Sequence, residues 1–292
     1  MQSETAANLI SAAVVRCLTE GVTAALMTLV EGDGEIGAKC LVEESGTVTG
    51  TLGSEVLDRA VAGFAPAFLA SRNEVRMLGA GEFAPQLSGL TARVMFERIE
   101  AEPRIVICGA GHVGAALARM AATTGYRVTL IDDRGEFLSR DQFPDRRIEL
   151  VTADDWAIAV RSAIAGDSTG RNDGRRRGDR ERETAALGRG VSIAIVTRGH
   201  HQDEECLRAV VSMTPDYIGL IGSRRRTNIV LERMREEGAD PGLLANVRAP
   251  IGLDIGAVTP EEVALAILAE IVAERRGGEG RSLSAWRRAK RD

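Results

Sequence analysis

Apolar positions at Ile10, Val14, Cys17 and Leu18 recur at the spacing of one helical face, so residues 4–20 read as an amphipathic helix. Short β-like runs follow at 23–30, 38–43 and 47–52, parted by the turns Gly32-Asp33-Gly34 and Ser45-Gly46. Residues 54–70 return to a helical period, with Val56, Leu57, Ala60, Val61 and Phe64 expected inward. Two more strands are predicted at 74–78 and 92–99. Residues 1–100 are therefore expected to form a small α+β domain, bounded by the polar, proline-bearing stretch 100–103.

At Arg104 the rhythm changes. Apolar runs at 104–108, 127–131, 148–151, 191–196 and 217–221 alternate with helical stretches at 112–124, 154–165, 203–212 and 223–237. Strands that are apolar on both faces and separated by helices imply an α/β fold: a Rossmann-like, doubly wound parallel sheet, here over 103–276. The last helix is marked by Thr259 as its cap, Pro260 at its first position and Glu261 and Glu262 against its dipole. Glu262 also stands where it completes a capping box with Thr259. The stretch 166–190 holds six glycines, seven arginines and five acids and almost nothing to bury, so it is expected to be a disordered insertion. Residues 277–292, with Arg287, Arg288, Lys290 and Arg291, are expected to form a disordered tail.

Composition narrows the class. With 44% hydrophobic and 27% charged residues the chain has the balance of a soluble globular protein. It contains no apolar stretch of membrane-spanning length and its first residues do not resemble a signal peptide, so a cytoplasmic setting without membrane contact is expected. A net charge of -5 gives no reason to expect nucleic acid as a partner. Cys17, Cys40, Cys108 and Cys206 lack any C-x-x-C spacing, which argues against a disulfide framework and a structural zinc site. Burial is the expectation for Cys108 and Cys40.

The candidate chemistry lies in three loops at the carboxyl ends of predicted strands, where doubly wound sheets keep their ligands. The first is Gly109-Ala110-Gly111-His112-Val113-Gly114, between a buried strand and a helix. Gly109 permits the tight turn, Gly111 lets a pyrophosphate approach the backbone and Gly114 lets helix and strand pack closely. Free amides at the helix start would hold the phosphates. Asp132 follows 21 residues after Gly111, where a carboxylate accepts from ribose hydroxyls; it favours NAD over NADP, a preference that Arg134 softens. The second loop carries His200, His201 and Asp203. The third places Ser223, Arg224, Arg225 and Arg226 at a helix amino terminus, an anion pocket unless the arginines only face solvent. All three histidines (His112, His200, His201) fall in these regions, as acid/base groups, metal ligands or simple ligand hydrogen bonds. No acidic or Cys partner has ligand spacing, so no metal site is predicted.

These motifs together resemble the xanthine dehydrogenase accessory proteins, the XdhC/CoxI family. The resemblance is carried by the residues 108–114, by Ile131-Asp132-Asp133-Arg134 and by Phe143-Pro144-Asp145. Gly199-His200 with Asp203-Glu204, the run from Asp216 to Arg225, and residues 249–256 leading into Thr259-Pro260-Glu261-Glu262 and Ala269-Glu270-Ile271 complete it. It implies a protein that binds molybdenum cofactor and assists its sulfuration and insertion into a molybdenum hydroxylase such as xanthine or carbon monoxide dehydrogenase. It implies as partners the hydroxylase apoenzyme and a cysteine desulfurase; a homodimer fits such a role. The molybdopterin phosphate, or the pyrophosphate of the dinucleotide form, would use the 109–114 turn or the 223–226 loop as its cradle. The chain departs from the family pattern where Gly50-Thr51-Leu52-Gly53 is followed by Ser54-Glu55 without the usual cysteine. It departs again in the loop 31–38 and at Arg198, where a histidine often stands. Two other readings of the same turn remain: an NAD(P)-dependent oxidoreductase with a histidine proton donor, although no Tyr-x-x-x-Lys pair is present, and a nucleotide-sensing regulatory module.

Overall fold

The structure is a computed structural model and describes residues 2–71, 73–166, 190–213 and 215–284. It divides into two compact units, Met1–Ala101 and Glu102–Asp292.

The first unit is an antiparallel sheet with helices on both faces. Its strands are β1 (Ala24–Glu31), β2 (Lys39–Glu43), β3 (Val48–Gly50), β4 (Val75–Gly79) and β5 (Arg93–Ile99), in the order β3-β2-β1-β5-β4. Its helices are α1 (Gln2–Glu20), α2 (Glu55–Ala70) and the short α3 (Ala80–Phe83). The alternation along β1 explains the layering: Ala25, Met27 and Leu29 enter the core under α2, while Ala24 and Leu26 pack beneath α1 with Ile10 and Cys17. Phe96 on β5 lies edge-on to Phe64 and to Phe83, each with ring centroids 5.3 Å apart. Its burial alone contributes about 1.5–3 kcal/mol. Two expected inward positions point out. Leu18 is exposed because α1 buries Ala13 and Cys17 instead, and Val56 is exposed because α2 turns Leu57, Val61, Ala65 and Phe68 to the sheet.

The second unit has six parallel strands: β6 (Arg104–Cys108), β7 (Arg127–Asp132), β8 (Ile148–Thr152), β9 (Val191–Ile195), β10 (Tyr217–Leu220) and β11 (Val247–Arg248). Their order, β11-β10-β9-β6-β7-β8, is the doubly wound order with its reversal point between β6 and β9. Strand β6 shows why the run is continuously apolar: Ile105 and Ile107 join the core of α4 (His112–Thr123) and α9 (Pro260–Arg276). Val106 and Cys108 face the other side, with α5 (Trp156–Ala165), α6 (His200–Val210) and α7 (Arg224–Glu236). The capping box of Thr259 and Glu262 forms as the spacing predicts. The helix α8 (Pro241–Ala245) and strand β11 are too short to leave a period in the sequence. The expected insertion, from 167 to 189, lies outside the described residues; of the expected tail, residues 277–284 carry no helix or strand and the rest lies outside.

Candidate functional site

The glycine turn after β6 is built by contacts that only glycine allows at two positions. Gly109 has φ +114°, and a Cβ there would stand 2.6 Å from the Val196 carbonyl oxygen. A Cβ on Gly114 would stand 1.8 Å from the Gly109 carbonyl oxygen, so α4 packs against the turn with no room for a side chain. Gly111 is different. Its φ of -65° suits any residue, and a Cβ there would meet nothing within 4 Å. The fold itself does not need this glycine; the open space in front of the backbone does.

Behind that space the start of α4 is unsatisfied. Gly111 is its N-cap and supplies no side-chain acceptor. Across the reversal point α6 begins in the same way, with Gly199 as an N-cap that makes no side-chain cap bond. Five other helix starts contrast with these, although the four-residue α3 also begins on a glycine, Gly79, without a side-chain cap bond. Ser54 caps α2, Asp155 caps α5, Ser223 caps α7, Asp240 caps α8 and Thr259 caps α9. Uncapped helix starts present free N–H groups and the positive end of the helix dipole, the two requirements of an anion site.

Asp132, at the end of β7, is almost wholly buried and accepts four hydrogen bonds. Its Oδ2 accepts from the Ala110 amide at 2.7 Å and from Arg134 Nη2 at 3.0 Å. Its Oδ1 accepts from the Arg134 amide at 3.0 Å and from Arg134 Nε at 2.9 Å. Burial acts to raise its pKa, but the Arg134 side chain and then the two amides outweigh burial and hold the carboxyl below its ordinary value. That stabilisation is complete above the ordinary carboxylate pKa and is lost as pH falls through the depressed folded value. The Arg134 guanidinium also stacks on Phe137 at 4.0 Å. Beside it Asp133 accepts from Arg198 Nη2 at 2.9 Å, which ties the loop after β7 to the loop after β9. Asp132 thus serves to anchor the glycine turn through Ala110.

The three histidines stand in first helical turns: His112 opens α4 where the period predicts a helix, whereas His200 and His201 open α6, three residues earlier than the apolar period indicates. All three are exposed. Three residues into α6, Asp203 is fully buried. Its Oδ1 accepts from Thr197 Oγ1 and its Oδ2 from Arg226 Nη2, both at 2.5 Å. Burial raises its pKa, while the Thr197 and Arg226 hydrogen bonds oppose the rise. The three arginines after Ser223 therefore divide. Arg226 turns inward and joins the loops after β9 and β10, while Arg224 and Arg225 are exposed at the start of α7. Ser223 Oγ accepts from the Arg226 amide at 3.3 Å, so its hydroxyl is occupied as a cap.

Sequence reasoning assigns no role to Thr197 or Asp133, notes Arg198 only as a departure from the family pattern, and places Arg226 in the anion pocket, where the structure instead turns it inward onto Asp203. A signal for Asp203 is present: it shares the i, i+3, i+4, i+7 stripe of Cys206, Leu207 and Val210, so a carboxylate stands on a buried face. Cys108 and Cys206 are buried, and their mutual hydrogen bond, with burial, pushes the Cys206 thiol up. Burial pushes the Cys40 thiol up to about 11, which removes it as a nucleophile at neutral pH. A cavity of about 900 Å³ between β8 and α5 is lined by Arg104, Arg127, Arg140 and Glu149 among others, and by no residue of the glycine turn.

Strand order and the glycine turn after β6 define a doubly wound Rossmann domain. The chain belongs to the XdhC/CoxI family: residues 105–271 match the XdhC Rossmann domain and residues 17–78 match the XdhC and CoxI family. It is 29% identical to the uncharacterized protein YqeB of Escherichia coli (strain K12) over 248 residues, 83% of this chain and 41% of that protein. It is also 29% identical over 188 residues to a probable xanthine dehydrogenase subunit of Bacillus subtilis (strain 168), 64% of this chain and 47% of that protein. The chain thus spans less than half the length of these curated relatives. A crystal structure of a xanthine dehydrogenase from Bacillus halodurans has the same fold, with a TM-score of 0.57 at 18% identity, covering 90% of this chain and 65% of that one. Among the described residues no helix is long and apolar enough to cross a membrane, and no cluster of His, Cys, Asp or Glu is suited to hold a metal ion.

Proposed function

We propose that this protein is an accessory factor in the maturation of a molybdenum hydroxylase such as xanthine dehydrogenase, holding molybdenum cofactor by its phosphate for sulfuration and insertion. The observation that carries this reading is the uncapped start of α4 behind Gly111, a glycine whose Cβ position opens onto empty space. The donor set suits the phosphate end of a molybdopterin: the amides of the uncapped starts of α4, from Gly111 on, and of α6, and the exposed guanidiniums of Arg224 and Arg225. Family membership and the likeness to a probable xanthine dehydrogenase subunit support the choice of cargo and client.

In this reading Gly109 and Gly114 shape the turn, Gly111 clears the approach, and Asp132 holds Ala110 in place. His112 and His200, first in their helices, stand at the mouth as hydrogen-bond partners for the cargo. Ser223 caps α7 and so orients Arg224 and Arg225. The cargo supplies the molybdenum chemistry; these residues bind it, orient it and release it. The client apoenzyme and a cysteine desulfurase are the partners expected, with the protein itself a homodimer.

Anaerobic isothermal titration with purified molybdenum cofactor tests the proposal. Micromolar binding that inorganic pyrophosphate displaces is expected. An absence of binding at these concentrations overturns it.

A further inference from the structure

The ribose subsite of a dinucleotide fold is a carboxylate with acceptor capacity to spare, and here that capacity is spent. A carboxylate offers about four acceptor positions. The four donors on Asp132 are the Ala110 amide at 2.7 Å, the Arg134 amide at 3.0 Å, Arg134 Nε at 2.9 Å and Arg134 Nη2 at 3.0 Å. The residue is 1% exposed, so water cannot exchange with these partners. Arg134 is held from other directions too: its guanidinium lies 4.0 Å over the Phe137 ring, and its Nε is 3.8 Å from Asp133 Oδ1. A ribose diol would have to displace a bidentate, charge-assisted pair from a buried carboxylate.

We propose that Arg134 sets the ligand specificity of the crevice: its guanidinium, by filling two of the four acceptor positions of Asp132, withdraws the ribose-diol subsite. The crevice then takes phosphate or pyrophosphate through the glycine turn and discriminates against ligands, such as NAD(H), that are recognised by an unsubstituted ribose. This inference rests on the reading of the 109–114 turn as a phosphate cradle. It also gives Asp132 and Arg134 a role different from the choice between NAD and NADP.

Titration of the wild-type protein and Arg134→Ala with NADH, followed by nucleotide fluorescence, tests the inference, with inorganic pyrophosphate titrated calorimetrically in parallel. Asp132 keeps the Ala110 and residue-134 amides in the variant, and thermal unfolding checks its fold. Arg134→Lys, which keeps the charge but not the planar fork, serves if the alanine variant is unstable. Pyrophosphate is expected to bind both proteins, the variant no more tightly than wild type, and NADH to bind the variant at least tenfold more tightly. Loss of a positive charge works against an anionic ligand, so such a gain reports the freed carboxylate, and adding Asp132→Asn to the variant should remove it. Equal NADH affinity in both proteins, with pyrophosphate bound, overturns the inference alone. Failure of pyrophosphate to bind either protein overturns the phosphate-cradle reading and the inference with it.

Discussion

The molecule contains two glycine turns that look alike in sequence and do different work. Each joins a strand to a helix, and in each a carboxylate accepts a backbone amide of the turn at 2.7 Å: Asp58 takes the Leu52 amide in the first unit, and Asp132 takes the Ala110 amide in the second. In the first unit the turn then closes on itself. Thr51 Oγ1 accepts from the Gly53 amide, Asp58 accepts from Thr51, and Ser54 caps α2. Gly50 and Gly53 have φ of +86° and +89°, so both glycines are demanded by the backbone. In the second unit Gly111 has an ordinary φ, faces open space and leaves α4 uncapped. A glycine required by its own backbone explains a turn. A glycine the fold could replace, in front of free amides, points to something outside the protein.

The sharpest way to break this comparison is to add a methyl group at the positions the folds require. Gly114→Ala would drive a Cβ into the Gly109 carbonyl and should cost at least about 3 kcal/mol in urea unfolding, the upper end of overpacking penalties. Gly50→Ala, with a Cβ 2.5 Å from the Lys39 carbonyl oxygen, should cost about 2 kcal/mol. Substituting Gly111 should separate stability from binding. Gly111→Val is expected to lose about 1 kcal/mol of stability through a poorer N-cap. It should weaken pyrophosphate binding by about 2–3 kcal/mol, because the side chain fills the space from which charge-assisted amide bonds are made. Unchanged pyrophosphate affinity would place the ligand elsewhere.

Removing Arg224 and Arg225 together by alanine should weaken ligand binding by about 1–3 kcal/mol if they meet a phosphate. Both side chains are exposed, so the melting curve should not move. The smallest effects come from exchanging caps. Ser54→Ala should destabilise the first unit by about 1 kcal/mol without touching pyrophosphate affinity. Gly199→Ser supplies α6 with the cap it lacks; its Cβ meets only the movable Gln202 side chain. It should stabilise by a few tenths of a kcal/mol while reducing pyrophosphate affinity, since the new hydroxyl competes for the same amides. A calorimetric titration beside a chemical melt reads both quantities, and a cap that leaves affinity intact would remove α6 from the site.

Much of this is legible along the chain, and for a local reason. The strand runs of the second unit, the 109–114 turn, and the Thr259 cap with Glu262 are encoded within a few residues by period, φ preference and reach. The start of α6 escapes because its polar first turn, His200 to Asp203, hides a helical stripe that becomes apolar only from Cys206, with Leu207 and Val210. Leu18 and Val56 fall on the wrong side because a helix of small residues has several faces of similar apolarity, and the neighbouring sheet selects one.

What the sequence by itself determined is the class of fold, the position of the glycine turn at the end of β6 and the family that the turn and its companion motifs indicate. The tertiary structure decided the partners. Three arginines that read alike after Ser223 separate into one bound to buried Asp203, 23 residues away in sequence, and two left exposed. Asp132, which reads as a ribose acceptor, becomes the clamp of Ala110 and the counter-ion of Arg134. The physical reason is common to both. Period and turn chemistry act over a few residues, whereas a buried charge must be satisfied by whatever donors the packed strands bring beside it.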